Sequence, residues 1–397
     1  MIKLVTLQQE LYQFHIKFDV SKFPVNSILV LFIVLLHQMS SKNDHLRDLS
    51  EFWANVNISK NFTMEFKDES IKSSLLILPN VEACKQGPKY LIIIISRTES
   101  LNVRNAIRDT WLNANNSNVL KDGFVVAYFL VGIQHDITVM MKIIEESKKY
   151  NDLIVTSITD NYNTLTLKVY TAMYFKHIYC QHVMYYIKVD DDVVLDLDRL
   201  NQQVNSFSNL AHIYGAIRYK DPVIRRRMDK YYMPYECYLR NFYPPFAPGM
   251  MYIIPLEAFQ KIWRTLPTVI WLKLEDIFYT GIVAEIAGVT RVNIDFMYSA
   301  DNVQSLPDQW ECDEYGRSKL VVASSFPSAD DLRKFCKKLR EIKCLKYKHI
   351  NSNFIEIFWQ NFEKITSNLY SSLITNNIYK FRRLKFYITR KNYKLVN

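Results

Sequence analysis

Val183-Met-Tyr-Tyr-Ile-Lys-Val189 is an apolar run that ends abruptly in Asp190-Asp191-Asp192. A short apolar run rich in β-branched and aromatic residues predicts a buried strand. Three buried-strand patterns precede it: Tyr90-Leu-Ile-Ile-Ile-Ile-Ser96, Phe124-Val-Val-Ala-Tyr-Phe-Leu-Val131 and Asp152-Leu-Ile-Val-Thr-Ser-Ile158. Helical patterns separate them, at about Asn102 to Leu112, at 138–150 and from Thr164 to Tyr179. Strand alternating with helix predicts an α/β domain built on a mainly parallel sheet. In such sheets ligands bind beyond the carboxyl ends of the strands, where the three aspartates stand.

Three adjacent carboxylates repel one another unless a cation neutralises them. In an extended segment residues i and i+2 share a side, so Asp190 and Asp192 are expected to face one metal, or a metal and a ribose. Carboxylate oxygens are hard donors suited to Mg²⁺ or Mn²⁺. The competing structural account is an acidic turn that caps the next element.

The rest of the chain narrows the class. Hydrophobic residues make up 49 % of the 397, which supports a large core and argues against global disorder. The 8 glycines argue against a Gly-rich low-complexity protein, and the lack of a fixed-period repeat argues against a solenoid or propeller. The net charge is +10, but residues 345–397 carry ten Lys/Arg against Glu356 and Glu363, so the body is close to neutral. A nucleic-acid binder would carry its charge on the folded domain, and no nucleic-acid partner is expected. A metal-dependent nuclease would also need a second cluster of metal ligands, and none stands out. Residues 345–397 form a basic aromatic tail, solvated or in contact with acidic partners or a membrane.

Six cysteines occur with no CxxC pair, so a finger-type zinc site is not indicated, and the even count suits a disulfide-bonded lumenal protein. The stretch Ile28 to Leu36 is strongly apolar but shorter than a comfortable span. It is compatible with a short signal-anchor, a signal peptide or a buried helix. No small-x-small cleavage site follows it, which speaks against a signal peptide, and Lys3, Lys17 and Lys22 before it against Lys42 and Arg47 after it slightly favour a cytoplasmic N-terminus. Sequons at Asn57, Asn61 and Asn115 fit a lumenal body. The expected organisation is a cytoplasmic segment 1–22, a transmembrane signal-anchor 23–39, a lumenal stem 40–86, a catalytic domain 87–344 and the tail.

Six blocks in order, spread over residues 97–288, resemble the β-1,3-glycosyltransferase family that includes β-1,3-galactosyltransferases and β-1,3-N-acetylglucosaminyltransferases (glycosyltransferase family 31). They are Arg104-Asn-Ala-Ile-Arg108-Asp-Thr-Trp111, Phe129-Leu-Val-Gly132, Asn151-Asp-Leu-Ile154 with Asp160-Asn-Tyr162-Asn-Thr-Leu165-Thr-Leu-Lys168, Tyr186-Ile-Lys188-Val-Asp-Asp-Asp-Val193, Tyr243-Pro-Pro-Phe-Ala-Pro-Gly249 and Leu274-Glu-Asp276-Ile-Phe-Tyr-Thr-Gly281. The resemblance implies a GT-A (Rossmann-like) fold, a UDP-sugar donor and Mn²⁺. It also implies an inverting β-1,3-hexosyltransferase, galactosyltransferase favoured, in the Golgi membrane as a single-pass type II protein. UDP-galactose or UDP-N-acetylglucosamine would be the donor, and a glycan on a glycoprotein or glycolipid the acceptor.

Residue by residue, it implies Asp190 and Asp192 as metal ligands and Asp276 as the base that takes the acceptor proton. Arg104, Arg108, Trp111, Lys188, Asp190 and Asp191 are implied at the donor. The plain account of Glu275-Asp276 is an acid pair at a helix N-terminus, and that of the Arg and Trp is salt-bridged and core packing. Two departures stand out. Ser324 or Ser325 occupies the place where relatives carry a late metal-binding His, and Phe246-Ala-Pro248 lacks a Cys common after the Tyr-Pro motif. They leave room for a catalytically inactive sugar-binding or chaperone-like Golgi protein, against which all three key aspartates are retained.

Overall fold

The computed structural model describes residues 60–207, 210–299, 306, 308–326 and 328–345. The expected anchor 23–39, Asn57 and the basic tail lie outside the described residues.

The core is a nine-stranded sheet. Its strands in chain order are β1 (Lys60–Glu65), β2 (Ser70–Ile77), β3 (Tyr90–Ile95), β4 (Val125–Ile133), β5 (Leu153–Thr159), β6 (Tyr185–Asp190), β8 (His212–Gly215), β9 (Met251–Pro255) and β10 (Thr290–Asn293); a short β7 (Val194–Leu195) belongs to a separate small sheet. The order across the large sheet is β1-β2-β5-β4-β3-β6-β9-β8-β10. The block β5-β4-β3-β6 is parallel. The expected mainly parallel sheet is therefore a mixed one, because β2 and β9 flank that block antiparallel and β8 runs antiparallel to β9. Local periodicity reports burial of a strand but not its direction, so the directions of β8, β9 and β10 are set by tertiary pairing.

Helices α1 (Leu101–Asp109), α2 (Ile137–Tyr150) and α3 (Leu165–Tyr179) connect the four parallel strands. All six residues of β3 are buried. Leu91, Ile93 and Ile95 point into one layer of core and Tyr90, Ile92 and Ile94 into the other, as period-2 alternation requires. Helix α2 is bounded by sequence chemistry: the Asp136 carboxylate accepts from Thr138 N, and Asn151 closes the end in a left-handed conformation. Later helices are α4 (Leu197–Val204), α5 (Leu256–Thr265) and α6 (Ala329–Glu341). The helix expected over Leu274 to Ala287 is present, but its middle, Ile277–Val283, is wound as a π-helix.

The hairpin β1–β2 corrects the expected stem. Residues 60–77 belong to the sheet, β2 pairing with β5. Phe62, Met64 and Phe66 alternate into the core while Asn61, Thr63 and Glu65 face out. That period-2 signal is present in the sequence but is diluted by Lys, Asn and Glu on the outer face. The sequon residues Asn61 and Asn115 are both exposed. Disulfides join Cys84 to Cys180 and Cys312 to Cys344, leaving Cys237 and Cys336 free.

Gly132 sits where β4 passes the end of β5, and a Cβ there would lie 2.4 Å from the Ile158 carbonyl oxygen. A main-chain atom of a buried strand cannot move aside. Gly132→Ala is expected to cost about 1–3 kcal/mol, read as a lower urea midpoint with unchanged m.

Candidate functional site

The chain runs β3, β4, β5 in one direction across the sheet and then returns to place β6 on the other side of β3. A crevice opens where the order reverses, beyond the carboxyl ends of β3 and β6. Ser96 and Arg97 follow β3, and Asp190 ends β6.

The three aspartates do not share one extended segment, which corrects the expected i, i+2 arrangement. Only Asp190 is in the strand; Asp191 and Asp192 form a turn. Their carboxylates go different ways. Asp190 Oδ1 meets Lys188 Nζ at 2.5 Å. Asp191 Oδ2 accepts from Ser96 Oγ at 2.9 Å and from Arg97 N at 3.3 Å. Asp192 stays half-buried between them. Burial, then the charges of Asp190 and Asp191, push its carboxyl up to about 6.

Lys188 is completely buried under this turn. Asp190 Oδ1, the Gly249 carbonyl oxygen and Glu275 Oε1 surround its ammonium at 2.5, 2.5 and 2.8 Å. Two hydrogen bonds and this ion pair hold the ammonium of Lys188, expected at the donor, against Asp190, Gly249 and Glu275. Burial opposes its charge, but Asp190 and Glu275 outweigh that and raise its pKa. Glu275 also accepts from the Tyr252 hydroxyl at 3.2 Å. Burial pushes Glu275 up to about 7 despite Lys188.

Asp276 is the carboxylate that faces the crevice from the other side. Its Oδ1 accepts from Ile277 N at 2.8 Å and its Oδ2 from Gly249 N at 3.2 Å. The Gly249 peptide thus bridges Asp276 to the Lys188–Asp190 pair. Burial first, and Asp190 after it, raise Asp276. A Cβ on Gly249 would lie 2.9 Å from Glu275 Oε1 and 3.1 Å from Lys188 Nζ. Gly249→Ala is expected to lower turnover by about tenfold or more and stability by about 1–3 kcal/mol, measured by initial rates and thermal melting.

Arg104, Arg108 and Trp111, expected at the donor, are engaged by partners within the protein. Arg104 is fully buried, and its five donors all have protein acceptors: Glu146 twice, Ser96 Oγ, Arg97 O and Thr98 O. Arg108 pairs with Glu146 and Asp152, with its guanidinium over the Tyr150 ring at 3.9 Å. The buried Trp111 indole donates to Val193 O at 3.1 Å. Together they hold the loop 96–98 and the residue after the aspartate turn. Lys168 works alongside: its buried ammonium donates to Ser96 O and Asp160 Oδ1, and Asp160 Oδ2 accepts from Thr98 N and Oγ1. Lys168 lies on α3 and Asp160 in the loop after β5; both stand inside the third block, and only packing brings them to the 96–98 loop.

Among the described residues no group of three or more His, Cys, Asp or Glu converges as a ready metal cage. The carboxylates of Asp190 and Asp192 are hard oxygen donors of the kind a divalent cation takes. The place of the late His is beside the turn: Phe326 N donates to Asp192 O at 3.1 Å. Ser324 is buried, and Ser325 is exposed with φ 74°.

Residues 102–295 match the profile described as galactosyltransferase. Over these residues the chain is similar to the galactosyltransferase family. It is 30 % identical over 210 residues to beta-1,3-galactosyltransferase 1 of Mus musculus, covering 52 % of this chain and 63 % of that protein. The human protein of the same name gives the same figures. Beta-1,3-galactosyltransferase bre-2 of Caenorhabditis elegans is 25 % identical over 310 residues, covering 72 % of this chain and 86 % of that one. The chain thus spans less than two thirds of the length of the first of these relatives. A solved galactosyltransferase, LgtC with donor and acceptor sugar analogues, overlays with a TM-score of 0.32 at 10 % identity, covering 62 % of this chain and 95 % of that one. The galactosyltransferase match includes every residue from Arg104 to Asp276.

Proposed function

We propose that this chain is an inverting β-1,3-hexosyltransferase of GT-A type that moves a sugar, galactose in preference to N-acetylglucosamine, from a UDP-sugar to the 3-hydroxyl of a glycan acceptor. The observation that carries this reading is the Gly249 peptide, which ties the Asp276 carboxylate to the Lys188–Asp190 pair across one crevice. Acidic donors for a cation and a separate carboxylate for a proton are the two needs of the reaction.

Asp276 accepts the proton of the acceptor hydroxyl as its oxygen bonds to the anomeric carbon of the donor. The bond from that carbon to the diphosphate breaks on the opposite face, UDP leaves with the electron pair, and the α-linked sugar becomes β-linked. Asp190 and Asp192 would hold Mn²⁺, which when bound supplies charge neutralisation for the departing diphosphate. Lys188 and Glu275 keep Asp190 and Gly249 in position, and Asp191 ties the aspartate turn to the end of β3.

We extend the proposal to a type II Golgi membrane protein with residues 1–22 cytoplasmic, an anchor at 23–39 and a lumenal catalytic body. It is supported by the apolar stretch Ile28 to Leu36 and the exposed sequon residues Asn61 and Asn115. No helix among the described residues is long and apolar enough to cross a membrane.

The test is turnover of UDP-galactose and UDP-N-acetylglucosamine with Mn²⁺ by the full chain, alongside Asp192→Ala. Mn²⁺-dependent transfer of one donor, with a β-1,3 product by NMR and loss in the variant, is the expected result. A folded protein that neither turns over nor binds any UDP-sugar would overturn the reading.

A further inference from the structure

Two exposed aromatic rings stand together beside the carboxylate crevice. Tyr162 comes from the short 3₁₀ turn Tyr162–Thr164 ahead of α3, and Tyr231 from the irregular segment 216–250. Their centroids are 6.4 Å apart at 71°, and the residues are 44 % and 43 % exposed. Lys230 Nζ lies 4.6 Å from the Tyr231 centroid and 6.0 Å from that of Tyr162.

Both supports are built rather than loose. The start of α3 is pinned to the segment that carries Asp276: Thr166 Oγ1 donates to Leu272 O at 2.6 Å, and the Tyr279 hydroxyl donates to Thr166 O at 2.8 Å. On the other side, the Arg225 guanidinium donates to the carbonyls of Met233, Tyr238 and Arg240. Arg218 bridges Phe246, and Ala247 N donates to Thr280 Oγ1, one turn beyond Asp276. Tyr231 N is capped by Asp229 Oδ1. The Tyr162 phenol is raised by burial and Tyr231 and then by Asp276, Glu275 and Asp190, as expected for a ring within the field of the crevice.

A third tyrosine supplies an independent sign of a ligand. Tyr243 is 6 % exposed, and its hydroxyl has no hydrogen-bond partner among the described residues. Buried hydroxyls are nearly always paired, so such a group calls for a missing partner. Burial, then Tyr238 and Asp276 against the pull of Arg225, push it up to about 12.

We propose that Tyr162, Tyr231 and Tyr243 form the acceptor subsite: the two exposed rings take the apolar face of an acceptor pyranose, and the Tyr243 hydroxyl bonds one of its hydroxyls. The inference rests on the transferase reading above. A neutral sugar suits these rings, because the C–H face of a pyranose matches an aromatic face.

The experiment uses the full chain with Mn²⁺ and whichever of the two UDP-sugars turns over, and methyl β-galactoside and methyl β-N-acetylglucosaminide as acceptors. Tyr162→Ala and Tyr231→Ala are expected to raise the acceptor KM about tenfold with donor KM changed less than about twofold, and Tyr231→Trp to recover it. Tyr243→Phe is expected to raise the melting temperature, since it removes an unpaired buried hydroxyl, and to raise acceptor KM about fivefold. Should an alanine variant fold poorly, saturation-transfer NMR on the wild type decides, with aromatic irradiation expected to reach the ring protons of the bound glycoside.

Acceptor KM within twofold of wild type in both alanine variants, donor KM rising in step, or no aromatic transfer would overturn the subsite while leaving the transferase standing. A wild type with no turnover of either donor is the separate failure of the transferase reading, and it removes the subsite too.

Discussion

Asp276→Asn is expected to reduce transfer by about 10²–10⁴-fold while leaving the fold intact. The asparagine keeps one oxygen for the amide of Ile277, so the local hydrogen bond that shapes this helix start survives. What is lost is the capacity to accept a proton from the acceptor hydroxyl, together with the bond from Gly249 N. Glu275 does not replace it, because it is buried against Lys188 and Tyr252. Donor KM should move by no more than about threefold, since the loss falls on a group that acts at the transition state. Retention of more than about a tenth of the wild-type rate would remove Asp276 from the role of base.

Arg104→Met should be the most damaging change to stability, by about 3–5 kcal/mol, because it leaves the buried carboxylate of Glu146 with Arg108 alone and frees three polar groups of the 96–98 segment. The readout is the urea midpoint at unchanged m. A second substitution, Glu146→Leu, should return part of the loss, since an apolar pair of similar volume removes the stranded charge. A donor-contacting arginine would show the opposite: a raised donor KM with an unchanged midpoint. Turnover of Arg104→Met should also fall, because Ser96 links Arg104 to Asp191.

The same residues show where sequence reading succeeds and stops. The Arg104–Trp111 block was legible as a family motif, and its role was not. A guanidinium written in a motif looks the same whether it meets a phosphate or a buried glutamate. The partner Glu146 lies on a different helix, and only packing α1 against α2 brings the two together. Lys188 meets the same limit. It precedes the acidic turn by two residues and looks like a donor ligand, yet its ammonium is spent on Gly249 and Glu275 from distant parts of the chain.

The edge hairpin was missed for a subtler reason. Phe62, Met64 and Phe66 carry the alternation of a strand, but the outer face is as polar as a stem and the strand has one partner of its own. The acceptor-facing pair Tyr162 and Tyr231 left no periodic signal, since both come from irregular turns.

From the amino-acid order alone came the alternation of strand and helix, the placing of an acidic turn at a strand end, the aspartate expected as base and the family. Each is a local property: burial period over a few residues, or a short motif kept in order. Only the tertiary structure decided that the sheet is mixed, that β6 returns to lie beside β3, that the three aspartates diverge, and that Gly249 joins Asp276 to Asp190. These rest on contacts between segments far apart in sequence, whose geometry is set by the packing of the whole core and not by any one stretch of it.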